Sequence, residues 1–396
     1  MKNNLVSWKV ITPIIADVVI SPWNLLVGGL LISKLNFPNA FLSIILGYLI
    51  LSGIFYYYGR LGFSFRKNTS QLIEPVFGEK GTKIFFSLLL AFGQIGWFAI
   101  VNQIGGESLA SLLRFPVWIG IIVYATTMFL MASLNLHRLS IVKSVITVSS
   151  LALVGYLLIL HSGDISSQQL FIGESKESII WGISIIVASL MSFCSVSPDF
   201  VSKLRTQKDI AFTALIGLFV PGVFIATLGA ILFSGKSNLS LEAIIGVSVF
   251  AAFGHVFNLL TNTDASIALY TPGNRLNYAF NWPFNFSVGI AAIVGVILSL
   301  LNIRSSLEIW LSVVAGIYPS LIGVTVAYYS LKFFRNRKPA KFNTDWRAIS
   351  IILFSSMLVF FINISLLNWV VAITSFILYI AMTGVTIKIY IGEKSS

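Results

Sequence analysis

Long apolar stretches alternate with short polar segments along almost the whole chain. A helix that crosses a bilayer needs roughly 17–25 predominantly apolar residues. Twelve stretches meet this length, so the pattern predicts an all-α polytopic membrane protein with about twelve transmembrane helices. The predicted spans, numbered one to twelve below, are 10–33, 38–59, 83–104, 116–134, 139–161, 178–198, 209–234, 243–269, 283–303, 308–331, 348–364 and 367–391.

Composition agrees with a membrane protein and argues against several chemistries. Of the 396 residues, 57% are hydrophobic and 10% are charged, whereas soluble proteins carry about 25% charged residues. The single cysteine, Cys194, excludes a disulfide framework, and the histidines are too scattered for a metal-binding motif. A nucleotide-binding loop of the GxxxxGKS/T type is absent from the sequence. We therefore expect no direct ATP drive, no cofactor and no enzyme activity.

The basic residues predict the orientation of the chain. The net charge of +12 is better explained by cytoplasmic loop charge than by nucleic-acid binding. With the N-terminus in the cytoplasm, all but five of the 26 Lys and Arg residues fall in cytoplasmic segments, and Lys143 and Arg275 are counted there. We expect a multi-pass protein of the plasma or inner membrane with both termini cytoplasmic. The five basic residues that fall in the outer loops are Lys34, Arg114, Lys176, Lys236 and Arg304.

The segments outside the spans suggest little further chemistry. The loop 60–82 contains the sequence SQLIEPVFGEKGTKIF, which predicts a short amphipathic helix on the membrane surface. The segment 332–347 is basic and is interpreted as a solvated linker. The N-terminus has no short apolar core followed by a cleavage site, so we expect the first span to be retained.

The spans divide into two blocks of almost equal length within a single transporter domain, 1–396. Residues 10–161 contain five spans and residues 178–331 contain the next five. Because five is odd, the second block enters the membrane inverted relative to the first, and 348–391 adds two further helices. The first helix of each block is interrupted, at residues 20–24 and in the serine-rich stretch 189–199. Paired broken helices indicate a substrate site near the middle of the membrane.

Span three offers a candidate substrate contact. Gln94 and Trp97 are three residues apart and share a helix face. The indole gives a flat stacking surface and the amide gives a donor and an acceptor, a combination that suits a planar heterocycle. The alternative is structural, with Trp97 packed against a neighbouring helix and Gln94 hydrogen-bonded across to it.

Span eight carries a polar patch over residues 261–266, including Asp264. Acids inside a membrane are rare and usually functional. Asp264 is therefore a candidate to bind a cation, take up a proton or hold a substrate nitrogen. The alternative is that it caps or pairs locally near the cytoplasmic end. His255 is interpreted as a satisfied interior histidine.

Three further acids have simpler interpretations. Asp17 is expected to pair with a Lys or Arg near the inner mouth, and Glu107 to be solvated. Asp199 stands close to Lys203 and Arg205 in the sequence, which suggests a gate or a structural ion pair.

Three short motifs resemble those of the nucleobase–cation symporter family, the permeases for cytosine/purines, uracil, thiamine and allantoin. They are Gln94-Ile-Gly-Trp97-Phe98, the turn SPDFVSKLRTQKD at 197–209, and Thr261-Asn262. The resemblance covers spans one to ten. It implies the five-plus-five inverted-repeat fold shared with amino-acid and neurotransmitter symporters.

The resemblance also implies a set of site residues. Trp97 would stack on the substrate ring opposite Leu190, where family members often have an aromatic side chain. Sodium would bind at backbone carbonyls from Ile20 to Asn24 and at hydroxyls of residues 260 and 261, but Leu260 has no hydroxyl. Sodium at Ile20 and Thr261 and proton coupling through Asp264 or Asp17 therefore both stay open. The implied substrate contacts are Gln94, Trp97, Ser189, Leu190, Ser192, Asn262 and Ser266.

The expected function is import of a nucleobase-like planar heterocycle, such as cytosine or a purine, by cation symport and alternating access. Spans one, two, six and seven would rock against spans three, four, eight and nine. The alternatives are a symporter of the same fold for an amino acid or vitamin precursor, an integral-membrane enzyme and an uncoupled channel. The expected partners are a small-molecule substrate and the lipid bilayer, and the expected state is a monomer or weak oligomer.

Overall fold

The computed structural model describes residues 5–161, 175–234, 251–303, 317–330, 346–361 and 377–378. This part of the chain is almost entirely helical. The helices are α1 (Trp8–Val19), α2 (Pro22–Lys34), α3 (Phe37–Phe65), α4 (Thr69–Phe77), α5 (Ser87–Leu113), α6 (Val117–Ala132), α7 (Leu136–His161), α8 (Ile179–Cys194), α9 (Ser197–Val201), α10 (Gln207–Phe212), α11 (Val220–Leu232), α12 (Ala251–Thr261), α13 (Ala265–Phe280), α14 (Phe284–Leu300), α15 (317–330) and α16 (Trp346–Phe361).

Three short irregular helices join these elements into longer spans. π-Helical turns at Gly81–Phe86 and Thr213–Phe219 lead into α5 and α11, and a 3₁₀ turn at Asn262–Asp264 connects α12 to α13. By length and composition, four continuous helices of the described chain can cross a membrane, or six if each bent pair counts as one span. Spans one to nine each overlap helices of the described chain. Only parts of spans ten and eleven are described, and span twelve lies outside the described residues except for 377–378.

The break predicted in span one separates α1 from α2, whose axes differ by 52°. Pro22 has no backbone N–H, and the preceding Ser21 adopts an extended conformation (φ −125°, ψ 156°), as proline favours for the residue before it. The buried Asn24 amide donates to the Val19 carbonyl at 2.7 Å and accepts from the Tyr48 hydroxyl at 3.2 Å. Asn24 therefore satisfies the open end of α1 and fixes the break.

The helices pack as two groups. The bundle comprises α1–α3 and α8–α11, and the scaffold comprises α5, α6 and α12–α14. The scaffold has its own hydrophobic core, which includes Phe98, Tyr124 and Leu269. A larger core is centred on the bundle and continues into α4, α15 and α16. The larger core also includes the scaffold residues Leu90, Ile100 and Ile267, so the two groups meet across an apolar interface, and α7 contacts both α1 and α12.

Two expectations about the polar segments need correction. The helix expected on the membrane surface forms as α4 behind an Asn68–Gln71 capping box, but its apolar face is buried in the protein, with Leu72 and Phe77 fully covered. Lys143 and Arg275, counted as cytoplasmic charges, are also fully buried because each pairs with an acid inside the protein.

Glycines set the distance between the two helices at the centre of the bundle. A Cβ on Gly28 would lie 1.9 Å from the Ala226 carbonyl oxygen, and one on Gly229 would lie 2.1 Å from the Leu25 carbonyl oxygen. Small residues of this kind let transmembrane helices approach closely. The contact between α2 and α11 therefore depends on both glycines.

We predict that Gly28→Ala lowers the melting temperature of the detergent-purified protein. Its methyl group would force α2 away from α11, at a cost of about 1–3 kcal/mol. Gly53→Ala is the matched control, because a Cβ on Gly53 meets nothing within 4 Å. Equal melting temperatures for the two variants would contradict the close contact.

Candidate functional site

A cavity lies where the broken first span meets spans three, six and eight. It has about 810 Å³ of empty space, including the part open to solvent. Small-molecule sites are typically concave and mostly apolar, with a few polar groups that orient the ligand. The lining residues are Val18, Ser21, Pro22, Trp23, Leu26, Gln94, Trp97, Ile100, Val101, Ile104, Ser189, Leu190, Ser192, Phe193, Asn262, Asp264, Ile267 and Ala268.

Six of the seven implied substrate contacts line this cavity, namely Gln94, Trp97, Ser189, Leu190, Ser192 and Asn262. Ser266 does not line it. Its side chain is fully buried, and its hydroxyl donates to the Thr263 carbonyl at 2.8 Å within the same helix. In this arrangement Ser266 shapes the turn of span eight and does not face the cavity.

Aromatic side chains form one wall of the cavity. The rings of Trp23 and Trp97 meet edge to face, with centroids 5.9 Å apart. The indole Nε1 atoms of both are buried and have no hydrogen-bond partner within the described chain. Each is thus a buried donor without an acceptor in this form of the protein.

Sequence reasoning missed Trp23 and Phe193 as lining residues. Trp23 follows Pro22 in the break and was treated only as part of the interruption. Phe193 is one helical turn beyond Leu190, on the same face of α8, and brings an aromatic ring to the cavity. The i, i+3 spacing from Leu190 was the available signal for Phe193.

The polar residues of the cavity already use some of their hydrogen-bonding capacity. The Ser189 hydroxyl donates to the Ile186 carbonyl at 2.7 Å, and the Asn262 amide donates to the Asn258 carbonyl at 2.8 Å. Their oxygens remain available as acceptors. By contrast, Ser195 and Ser197 are fully buried and do not line the cavity, so the serine-rich stretch contributes both to the cavity wall and to packing.

The residues proposed for sodium do not line the cavity. Ile20 and Asn24 are buried at the break, and the Asn24 side chain is engaged with Val19 and Tyr48. The Thr261 hydroxyl donates to the Phe257 carbonyl at 2.7 Å. In this form of the protein, the side chains of Asn24 and Thr261 are therefore hydrogen-bonded to neighbouring groups of the protein.

A buried ion pair lies next to the cavity. Asp17 was expected to pair with a basic residue, and the partner is Lys143 of α7. The Lys143 Nζ lies 2.5 Å from Asp17 Oδ2 and 2.6 Å from the Thr263 carbonyl oxygen. The Thr263 hydroxyl donates to Asp17 Oδ1 at 2.9 Å. The next residue, Asp264, lines the cavity, and its Oδ1 is buried without a partner in the described chain.

A second buried ion pair lies outside the lining of the cavity. Asp199 pairs with Arg275, with Oδ2 and Nη2 2.5 Å apart. Asp199 Oδ1 accepts from the Thr69 backbone N–H at 2.8 Å, and Arg275 donates to the Ser70 hydroxyl at 2.9 Å. The pair therefore joins the bundle, the scaffold and the start of α4.

Three acid and histidine expectations differ in detail from the structure. Asp199 does not pair with its sequence neighbours: Lys203 reaches the Tyr270 hydroxyl and Arg205 donates to the Leu5 carbonyl. Glu107, expected to be solvated, accepts from Gln103 at 3.0 Å. His255 is not fully satisfied, because its Nδ1 is buried without a partner in the described chain.

The fold and cavity define a helical membrane transporter with a broken first helix. Comparison with known protein families identifies the family to which this chain belongs. A family model described as permease for cytosine/purines, uracil, thiamine, allantoin matches residues 7–343. The chain belongs to this family, and it is a permease and not an enzyme.

Individual relatives are distant in sequence. The cytosine permease of Escherichia coli (strain K12) is 23% identical over 322 residues, which cover 76% of this chain and 73% of that protein. The structure of Mhp1, a nucleobase-cation-symport-1 family transporter, closed with bromovinylhydantoin bound, aligns with a TM-score of 0.84 at 16% identity, over 97% of this chain and 94% of that one. The structure of a substrate-bound, outward-open Na+-coupled sialic acid symporter aligns with a TM-score of 0.67 at 12% identity, over 96% of this chain and 90% of that one. At these identities the likeness to the two structures shows the fold alone.

We predict that Asp199→Asn destabilises the protein strongly, because it leaves the Arg275 guanidinium buried without its counter-charge. Breaking a buried ion pair in this way costs about 3–5 kcal/mol. The double variant Asp199→Asn/Arg275→Met should recover most of the lost melting temperature. Glu79→Gln, which breaks the exposed Lys83–Glu79 pair, is the control and should melt like the unmodified protein. Additive losses in the double variant would show that the two buried charges do not interact.

Proposed function

We propose that the chain imports a nucleobase-like planar heterocycle, such as cytosine or a purine, by cation symport and alternating access. The observation that carries this proposal is the cavity at the break of span one. Trp23 and Trp97 line it together with the amide of Gln94 and the serines Ser189 and Ser192 of α8.

The chemistry of the cavity favours a flat, uncharged ring. Trp97 gives a stacking surface, and Leu190 and Phe193 give an apolar surface from the bundle. Gln94 and Asn262 provide the amide groups that match the alternating donors and acceptors of a nucleobase edge. Gln94, Trp97, Ser189, Leu190, Ser192 and Asn262 are therefore the proposed contacts, and Ser266 acts through the shape of the turn.

The charges of the cavity argue against an amino-acid substrate. Its lining contains one acid, Asp264, and no basic side chain. A carboxylate brought into this cavity would lie near the acid without a cationic partner, which is costly in a low-dielectric site. An uncharged heterocycle, whose ring N–H groups can donate to Asp264 Oδ1, avoids this cost.

Alternating access would arise from the bundle moving against the scaffold. The scaffold core supports this motion, because the scaffold can keep its own contacts while its interface with the bundle changes. The packing also supports an inverted repeat of 10–161 and 178–331. Span one packs on span seven as span six packs on span two, and span three packs on span four as span eight packs on span nine.

The coupling ion is proposed to be a cation that acts at the junction of spans one and eight. Asp264 is the candidate group, because its carboxylate faces the cavity with an unpartnered oxygen. Backbone carbonyls near Ile20 and Asn24 and the Thr261 hydroxyl are the alternative, a sodium site of the kind formed at helix breaks. We further propose a cell-membrane location and a monomeric or weakly associated state. The distribution of basic residues in the loops supports cytoplasmic termini.

We predict that Trp97→Ala weakens binding of radiolabelled cytosine to the purified protein by about 5- to 150-fold, the usual contribution of stacking one base on an aromatic side chain. The melting temperature should change little, because Trp97 is only partly buried. Trp118→Ala is the control, since Trp118 is 57% exposed on α6. Unchanged affinity in the Trp97 variant would rule out the proposed pocket.

A further inference from the structure

Lys143 is a charged side chain that the proposed substrate site does not use. It lies on α7 with none of its side chain exposed, and its partner Asp17 is 2% exposed. Lysine is almost never fully buried unless it is paired. The ammonium group donates to Asp17 of the first span and to the Thr263 carbonyl of the eighth. It therefore joins these two spans.

The atoms around this ammonium are oxygens. Asp17 supplies a carboxylate oxygen at 2.5 Å and Thr263 supplies a backbone carbonyl at 2.6 Å. The Thr263 hydroxyl is held within the same cluster by its 2.9 Å bond to Asp17 Oδ1. Carboxylate, carbonyl and hydroxyl oxygens are the ligands that hard cations such as Na⁺ prefer.

These oxygens come from two places where a helix is interrupted, the break in span one and the 3₁₀ turn of span eight. Asp17 is in the last turn of α1, just before the break, and Thr263 is in the 3₁₀ turn that interrupts span eight. In transporters with broken helices, unwound backbone at such places coordinates the coupling ion. Here the Lys143 ammonium already occupies the oxygen cluster.

The Lys143–Asp17 pair is neutral without a metal ion. The other acid close by, Asp264, lies in the adjacent cavity wall and is not part of this pair. A sodium ion placed among the oxygens of the pair would be repelled by the ammonium at close range in a buried site.

We propose that Lys143 is a tethered replacement for an alkali cation. Its ammonium joins α1 to the turn of span eight, as a bound Na⁺ would, and the protein binds its substrate without sodium. For the symport proposed above, this means that sodium is not the coupling ion. The inference rests on that proposed function only in the transport measurement described below. The competing explanation is a structural ion pair with no relation to a cation site.

The test uses the ligand-free protein, so that it does not depend on the identity of the substrate. Melting temperatures are measured in sodium chloride and in choline chloride at equal ionic strength. The unmodified protein should melt at the same temperature in both salts. Lys143→Ala leaves the oxygen cluster without its cation, so Na⁺ should raise the melting temperature of this variant by about 2 °C or more.

The control is Lys83→Ala, which removes another paired lysine, one that is 34% exposed in an i, i+4 pair with Glu79. It should show no specific response to Na⁺. A structural ion pair alone predicts that Lys143→Ala is destabilised equally in both salts, and that result would overturn the proposal. Stabilisation of the unmodified protein by Na⁺ would also overturn it.

A second measurement covers the case in which Lys143→Ala does not fold. Uptake of radiolabelled cytosine into proteoliposomes containing the unmodified protein is compared with sodium and with choline outside. Equal initial rates support the proposal, and a rate that falls tenfold or more without sodium overturns it. If cytosine is not taken up in either salt, the substrate assignment fails, while a rise in the melting temperature of the unmodified protein with Na⁺ would still overturn the role proposed for Lys143.

Discussion

Polar groups within a bilayer must find partners inside the protein, because the lipid offers none. The break between α1 and α2 is where this constraint matters most. Pro22 ends the regular hydrogen bonding, the Asn24 amide donates to the Val19 carbonyl that is left open, and the Tyr48 hydroxyl donates to the Asn24 amide oxygen. With the break held in this way, Trp23 can face the cavity and Asp17 can reach span eight.

The two buried ion pairs link units that would move relative to each other in a transporter. Asp199 of the bundle pairs with Arg275 of the scaffold, and Asp17 of the bundle pairs with Lys143, which in turn bonds to Thr263. Buried ion pairs often add little net stability, because desolvation offsets their attraction. Their geometry is nevertheless demanding, so such pairs are suited to defining one relative arrangement of bundle and scaffold. The proposed import mechanism requires these contacts to rearrange as access alternates.

The sequence was sufficient for features that depend on local pattern. Apolar length predicted spans one to nine, proline and polar residues predicted the breaks in spans one and six, and the three-residue spacing placed Gln94 and Trp97 together in the lining of the cavity. Pairings between distant residues were not predictable in this way. The positive-inside pattern assigned Lys143 and Arg275 to the cytoplasm, because a residue count does not show which basic side chain meets an acid inside the protein. The place of Ser266 also depends on a bond that the sequence does not show, because its hydroxyl donates to the Thr263 carbonyl of the adjacent 3₁₀ turn and the residue does not line the cavity.

The central claim is that the cavity at the broken helices binds a planar heterocycle. The most direct test is the melting temperature of the detergent-purified protein with cytosine, adenine, uracil or leucine. A compound present at 100 times its dissociation constant should add about 2.7 kcal/mol of stability. The account predicts a saturable rise with at least one of the three nucleobases and none with leucine. Stabilisation by leucine alone would contradict it, because the same fold would then be serving an amino acid.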